Sequence, residues 1–102
     1  MKTIWKYRLE IYPGLEAEEM GLQIIQVPKG ATFLSVAFQQ GLLYLWAEVE
    51  TDNVIEDAFI EIVGTENPVM KIEPPRIYRN YIGTVQMDQS YHSFVWHVYE
   101  QK

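Results

Sequence analysis

The chain holds two histidines, His92 and His97, the side chains best suited to proton transfer or metal ligation near neutral pH. On an extended strand an odd separation places two residues on opposite faces, so this pair cannot grip one metal ion unless a bulge intervenes. His97 shares a face with Tyr91, Ser93, Val95 and Tyr99, whereas His92 shares one with Phe94, Trp96 and Val98. A lone histidine among aromatic residues is the usual pattern of a hydrogen-bonded structural group. Cysteine is absent, which removes thiolate nucleophiles, zinc ribbons and iron–sulfur clusters. The serines are Ser35, Ser90 and Ser93. None sits in a Gly-x-Ser-x-Gly elbow, and Ser93 sharing a strand face with His97 makes only a weak nucleophile–base pair.

Carboxylates are plentiful, fourteen in all. Glu48 and Glu50 share a face beside Trp46, the kind of juxtaposition glycosidases use for acid–base work. Acids at alternate positions are also how the solvent side of any strand reads. Gly64-Thr65 and Gly83-Thr84 have no helix after them, so neither supports a phosphate cradle. We therefore expect no enzyme, no cofactor and no metal. The residue types that remain belong to interfaces: Tyr44 and Trp46 beside Glu48 and Glu50, and Tyr78 and Tyr81 flanking Arg79. With His97 these are the candidate binding residues. The competing reading is that the aromatics close a sandwich core from its second sheet.

Strands must position these side chains. Period-two alternation runs through most of the chain. Trp5, Tyr7, Leu9 and Ile11 oppose Lys6, Arg8 and Glu10, up to a Pro13-Gly14 turn. Residues 15–21 form a loop or one helical turn. A second strand over 22–27 closes at Pro28-Lys29-Gly30. Residues 33–39, with Leu34, Val36 and Phe38 on one face, pair through Gln40-Gly41 with residues 42–50. There Leu43, Leu45, Ala47 and Val49 oppose Tyr44, Trp46, Glu48 and Glu50. After a polar turn at Thr51-Asp52-Asn53, residues 58–63 form a strand with Ala58, Ile60 and Ile62 inward. Three prolines within residues 64–76 rule out helix or central strand and leave a long surface loop, often a binding element. Residues 77–87 and 91–99 make a last hairpin across Asp88-Gln89-Ser90. The expectation is one all-β domain over residues 1–102, about seven antiparallel strands in a small sandwich or partly open barrel.

Composition sets the surroundings. With 48% hydrophobic and 14% aromatic residues the chain has the means to fill one core. A net charge of −6 speaks against nucleic acid as a partner. No apolar run reaches the length of a membrane span, and Lys6 and Arg8 interrupt any signal core, so we expect no membrane partner. A small chain without disulfides fits a reducing compartment, the cytoplasm. From Lys29 to Lys71 no basic residue occurs, while Glu48, Glu50, Asp52, Glu56, Asp57, Glu61 and Glu66 do. This acidic stretch is a solubilising edge or a surface that steers toward a basic partner.

Several segments also carry a resemblance. They are Met1-Lys2-Thr3-Ile4-Trp5-Lys6-Tyr7, Val27-Pro28-Lys29-Gly30-Ala31 with Leu34-Ser35-Val36, Leu45-Trp46-Ala47-Glu48-Val49, Gly64-Thr65, Tyr81-Ile82-Gly83-Thr84-Val85 and Val95-Trp96-His97-Val98-Tyr99-Glu100. In that order the chain resembles a family of small uncharacterised proteins of bacteriophages and bacteria, a domain of unknown function of about this chain's length. It departs from the family at residues 12–21, which are longer here, and at Glu66-Asn67. No activity comes with the resemblance. It implies a phage or prophage accessory protein in the bacterial host cytoplasm, and it favours His97, which lies in a matching segment, as the functional histidine. The expectation is a protein-interaction module whose partner is another protein, such as a host or defence factor. A homodimer or other homo-oligomeric, virion-associated protein is one alternative, and a small-ligand-binding protein or enzyme using His97 is another.

Overall fold

Alternation along β4 (Leu42–Glu50) sets the frame of the molecule: Leu43, Leu45, Ala47 and Val49 are buried, and Tyr44, Trp46, Glu48 and Glu50 point the other way. The computed structural model describes residues 1–11, 21–89 and 92–102, and of residues 88, 89, 92 and 93 it describes the backbone. β1 (Lys2–Leu9) and β3 (Thr32–Gln39) flank β4 in a sheet of order β1-β4-β3. The second sheet has the order β2-β5-β7-β6, built from β2 (Leu22–Pro28), β5 (Ile55–Gly64), β7 (His92–Gln101) and β6 (Arg79–Gln89). All pairings are antiparallel. Leu9, Leu43 and Leu45 of the first sheet face Ala58, Ile60, Ile62, Val85 and Val98 of the second across one core. The expected sandwich is present, and its sheets do not close into a barrel. No helix among the described residues is long and apolar enough to cross a membrane.

The β3–β4 hairpin turns where expected. Gln40 and Gly41 have φ of 53° and 79°. Two successive left-handed residues characterise the type I′ turn, whose twist matches that of paired strands. One facing differs from expectation. The register of β3 shifts between Phe33 and Ser35, so Phe33 lies opposite Ala47, Val36 opposite Leu45 and Phe38 opposite Leu43. Leu34 is the extra residue and is exposed. A bulge lets the larger Phe33 take the inward position that strict alternation assigns to Leu34.

A second bulge lies in β6 between Tyr81 and Gly83. It leaves Tyr81 opposite Tyr99 on the outer face and puts Gly83 opposite Val98 on the inner face. A Cβ at Gly83 would come 2.9 Å from Val36 Cγ2, so the missing side chain is what lets β3 and β6 approach where the sheets meet. At the opposite edge Gln23 links the sheets. Its Oε1 accepts from Glu10 N–H at 2.8 Å, and its Nε2 donates to the Glu10 carbonyl at 2.5 Å.

β6 begins at Arg79 rather than at residue 77, because the N–H groups of Ile77 and Tyr78 both turn to the Lys102 carbonyl, at 2.7 and 3.1 Å. Residues 65–78 carry neither helix nor strand, as their prolines require. The expectation of a helical turn over residues 15–21 lies outside the described residues except at Gly21. The Ser90 turn and the face of the His92 side chain lie outside them too.

Candidate interaction surfaces

The register separates the eight candidate residues into two groups on opposite outer sides of the sandwich. Tyr44, Trp46, Glu48 and Glu50 stand on the outer face of the first sheet, with Arg8, Lys6, Ile4 and Lys2 opposite them on β1. Tyr78, Arg79, Tyr81 and His97 belong to the second sheet and its margin.

The first group is largely satisfied within the chain. Tyr44 and Trp46 rest against each other with ring centroids 6.1 Å apart, and Lys6 Nζ lies 4.3 Å over the Tyr44 ring. Lys2 pairs with Glu48 at 3.7 Å. The N-terminal ammonium meets Glu50 at 2.5 Å and Asp52 at 3.1 Å, and these bonds raise its pKa. Exposed pairs of this kind add little stability. They do bring local charge close to balance, which weakens this end of the acidic stretch as a steering field.

The second group is built around a carboxylate. Glu61 lies on the outer side of β5, where strand alternation predicts a solvated acid, yet its exposure is 0%. Its Oε1 accepts from Arg79 Nε and from Gln101 Nε2, both at 2.8 Å, and its Oε2 accepts from the Met70 N–H at 2.9 Å. Arg79 Nη2 also donates to the Met70 carbonyl. Arg76 Nε donates to Gln101 Oε1 at 3.1 Å, and its guanidinium stacks 4.0 Å over the Phe59 ring. The proline-rich segment is thus a strap laid across the outer side of β5 and β7, and Glu61 leaves the acidic surface to hold it there. A buried carboxylate needs a cation and several donors, and this one has both. From sequence, Arg79 is recognisable as a binding candidate and Glu61 only as one acid of a solvated stretch, a placement its burial corrects. One signal was available: Phe59, Ile60, Ile62 and Val63 make residues 59–63 apolar on both faces, which means both are covered.

His97 sits beside this network on the same face. Its Nε2 lies 2.8 Å from Thr65 Oγ1, its Nδ1 lies 3.1 Å from Thr84 Oγ1, and Thr84 Oγ1 is 2.5 Å from the Tyr81 hydroxyl. Each imidazole nitrogen therefore meets a hydroxyl. In a Ser-His-Asp arrangement a carboxylate at the far nitrogen stabilises the imidazolium, and here Thr84 places a hydroxyl at that position. The nearby carboxylate, Glu61, is committed to Arg79, Gln101 and Met70. The geometry describes a tie between β6, β7 and the start of the strap.

Large apolar side chains are exposed along this margin: Val69 at 58%, Ile77 at 78%, Tyr78 at 50% and Tyr81 at 61%. Tyr81 is braced edge-on by Tyr99, with centroids 5.6 Å apart. At one end of the molecule the sheets part around a cleft of about 430 Å³, lined in part by Leu9, Ile11, Phe38, Leu43, Phe94 and Trp96. His97 does not line it. No group of three or more possible metal ligands occurs among the described residues.

A family model described as a domain of unknown function (DUF7352) matches residues 1–102. No curated protein matches the chain, and no solved structure does.

Proposed function

The chain belongs to the DUF7352 family, and from that premise we propose that it is a non-enzymatic protein-interaction module whose contact surface is the strap side of the second sheet. One observation carries the reading. An irregular segment is held against the sheet by hydrogen bonds between Met70 and the buried Glu61–Arg79 pair, and along it and the adjoining strand Val69, Ile77, Tyr78 and Tyr81 face solvent. Loops fixed by a scaffold are where recognition is usually built, and tyrosine beside arginine is a frequent composition of binding hot spots. The outer face of the first sheet is the weaker candidate, because its tyrosine and charged groups are already engaged with one another.

The resemblance to phage and bacterial proteins supports a partner from a bacterial cell, such as a host or defence factor, met in the cytoplasm. The test compares two photo-cross-linking variants, one with the reactive side chain at Ile77 and one at Ile4. The reading expects one discrete adduct from Ile77, abolished by Tyr78→Ala/Tyr81→Ala in a protein that still folds. Adducts from Ile4 alone, or adducts indifferent to the tyrosine changes, refute it. An adduct with the mass of two copies selects the homodimer instead.

A further inference from the structure

We infer that the centre of the strap, residues 68–75, opens and closes as a unit while the sandwich stays folded, with the Glu61 carboxylate as its latch. The inference concerns the strap itself and stands whether or not its outer side binds a partner.

The strap is tied at both ends by backbone bonds. At its start Thr65 N–H donates to the Val95 carbonyl at 3.1 Å, and a turn from Gly64 to Asn67 follows. At its end Tyr78 and Lys102 exchange backbone bonds at 3.1 and 2.9 Å. Between residues 68 and 75, the only hydrogen bonds to the sheet among the described residues are those at Met70, to Glu61 and from Arg79. Apolar anchorage there is slight. Pro68, Val69, Pro74 and Pro75 are exposed, and Met70 and Ile72 are half-buried. The centre of the strap is therefore held by a polar clamp more than by a core, and few buried apolar contacts mark a segment that opens locally.

The sheet side of the clamp is complete without the strap. Arg79 and Gln101 both bond Glu61 Oε1 and both belong to sheet strands. When the strap lifts, the Met70 N–H and carbonyl pass to water and so does Glu61 Oε2. The carboxylate keeps its cation and its amide donor throughout. Opening thus hydrates an ion pair that stays paired, and avoids the large penalty of leaving a buried charge alone. Both arrangements leave the polar groups of Glu61, Arg79 and Met70 with partners, protein or water, as a two-state element requires.

Two measurements on the intact chain test this. Native-state hydrogen exchange should show the Met70 amide exchanging at least about tenfold faster than the β5 and β7 amides of Ile60 and Val98. Limited trypsin digestion at Lys71 should accelerate by about tenfold or more in Glu61→Gln, with the thermal transition still cooperative. Should Glu61→Gln fail to fold, Met70→Pro removes the strap's donor and leaves the sheet network intact, with the same acceleration expected. A Met70 amide that exchanges only together with Ile60 and Val98 overturns the inference. So does a folded Met70→Pro protein cut at Lys71 no faster than the parent.

Discussion

Arg79 reaches Glu61 with its Nε at 2.8 Å and the Met70 carbonyl with its Nη2, so one guanidinium bonds both the sheet and the strap. Glu61 is fully buried and Arg79 is 22% exposed, which places the pair where water screens it poorly. Its two contacts use different nitrogens of a planar fork. The pairing therefore depends on shape as well as charge.

Arg79→Ala should destabilise the domain by about 3 kcal/mol, near the lower end for an orphaned buried charge, since Gln101 remains and a lifted strap admits water. Arg79→Lys should recover less than half of that loss, because a single ammonium cannot occupy both positions. Urea denaturation of the three proteins measures it. An Arg79→Ala protein as stable as the parent would contradict the role given to the pair.

Tyr7 offers the opposite case. Its hydroxyl is buried and has no hydrogen-bond partner among the described residues, and burial pushes its pKa above 10.0. Removing an unsatisfied buried hydroxyl relieves a desolvation cost of about 1–3 kcal/mol, so Tyr7→Phe should be neutral or stabilise by about 1 kcal/mol. The raised pKa stabilises the fold below the ordinary tyrosine value, and that contribution is lost as pH climbs through the folded-state value. Alkaline unfolding should accordingly begin at higher pH in Tyr7→Phe. A variant clearly less stable than the parent at neutral pH would mean that the hydroxyl is satisfied.

Glu100 gives a pH dependence of defined sign. Burial holds its pKa above 4.5, with Lys102 opposing and Glu56 reinforcing the shift. The fold favours its protonated form relative to the unfolded chain, so the group favours folding below the unfolded value and the advantage disappears as pH rises through the folded value. Glu100→Gln should therefore raise the melting temperature at about pH 7 and change it little at about pH 3. Equal gains at both pH values would locate the effect elsewhere.

The β3–β4 turn makes a simpler prediction. Gln40 occupies a left-handed conformation, at φ 53°, that asparagine adopts more readily. Gln40→Asn should stabilise the domain by a few tenths to about 1 kcal/mol. Thermal unfolding of the two proteins suffices, and a loss of stability would show that the Gln40 side chain contributes something the turn does not.

Much of the fold was legible because each signal was local. Period two over residues 42–50 set the buried face of β4, and Gln40-Gly41 marked its turn. The prolines of residues 64–76 predicted an irregular segment. The two bulges were not legible, since an extra residue at Leu34 or Ile82 pays no local penalty and is selected by how β3 and β6 meet across the core. The candidate residues were recognisable by type, but their division between two outer faces depended on strand order.

By itself the sequence determined an all-β chain, which residues alternate, where it turns, and that thiolate chemistry lies outside its means. Only the tertiary structure decided that Glu61 is buried. Alternation assigns an odd-numbered residue of β5 to the outer face, and an outer face is normally wet. Whether it stays wet depends on a segment that folds back over it, with Arg79 arriving from β6 and Gln101 from β7. That meeting of distant residues, held by charge and hydrogen bonds in a site closed to water, leaves no periodic trace in the chain.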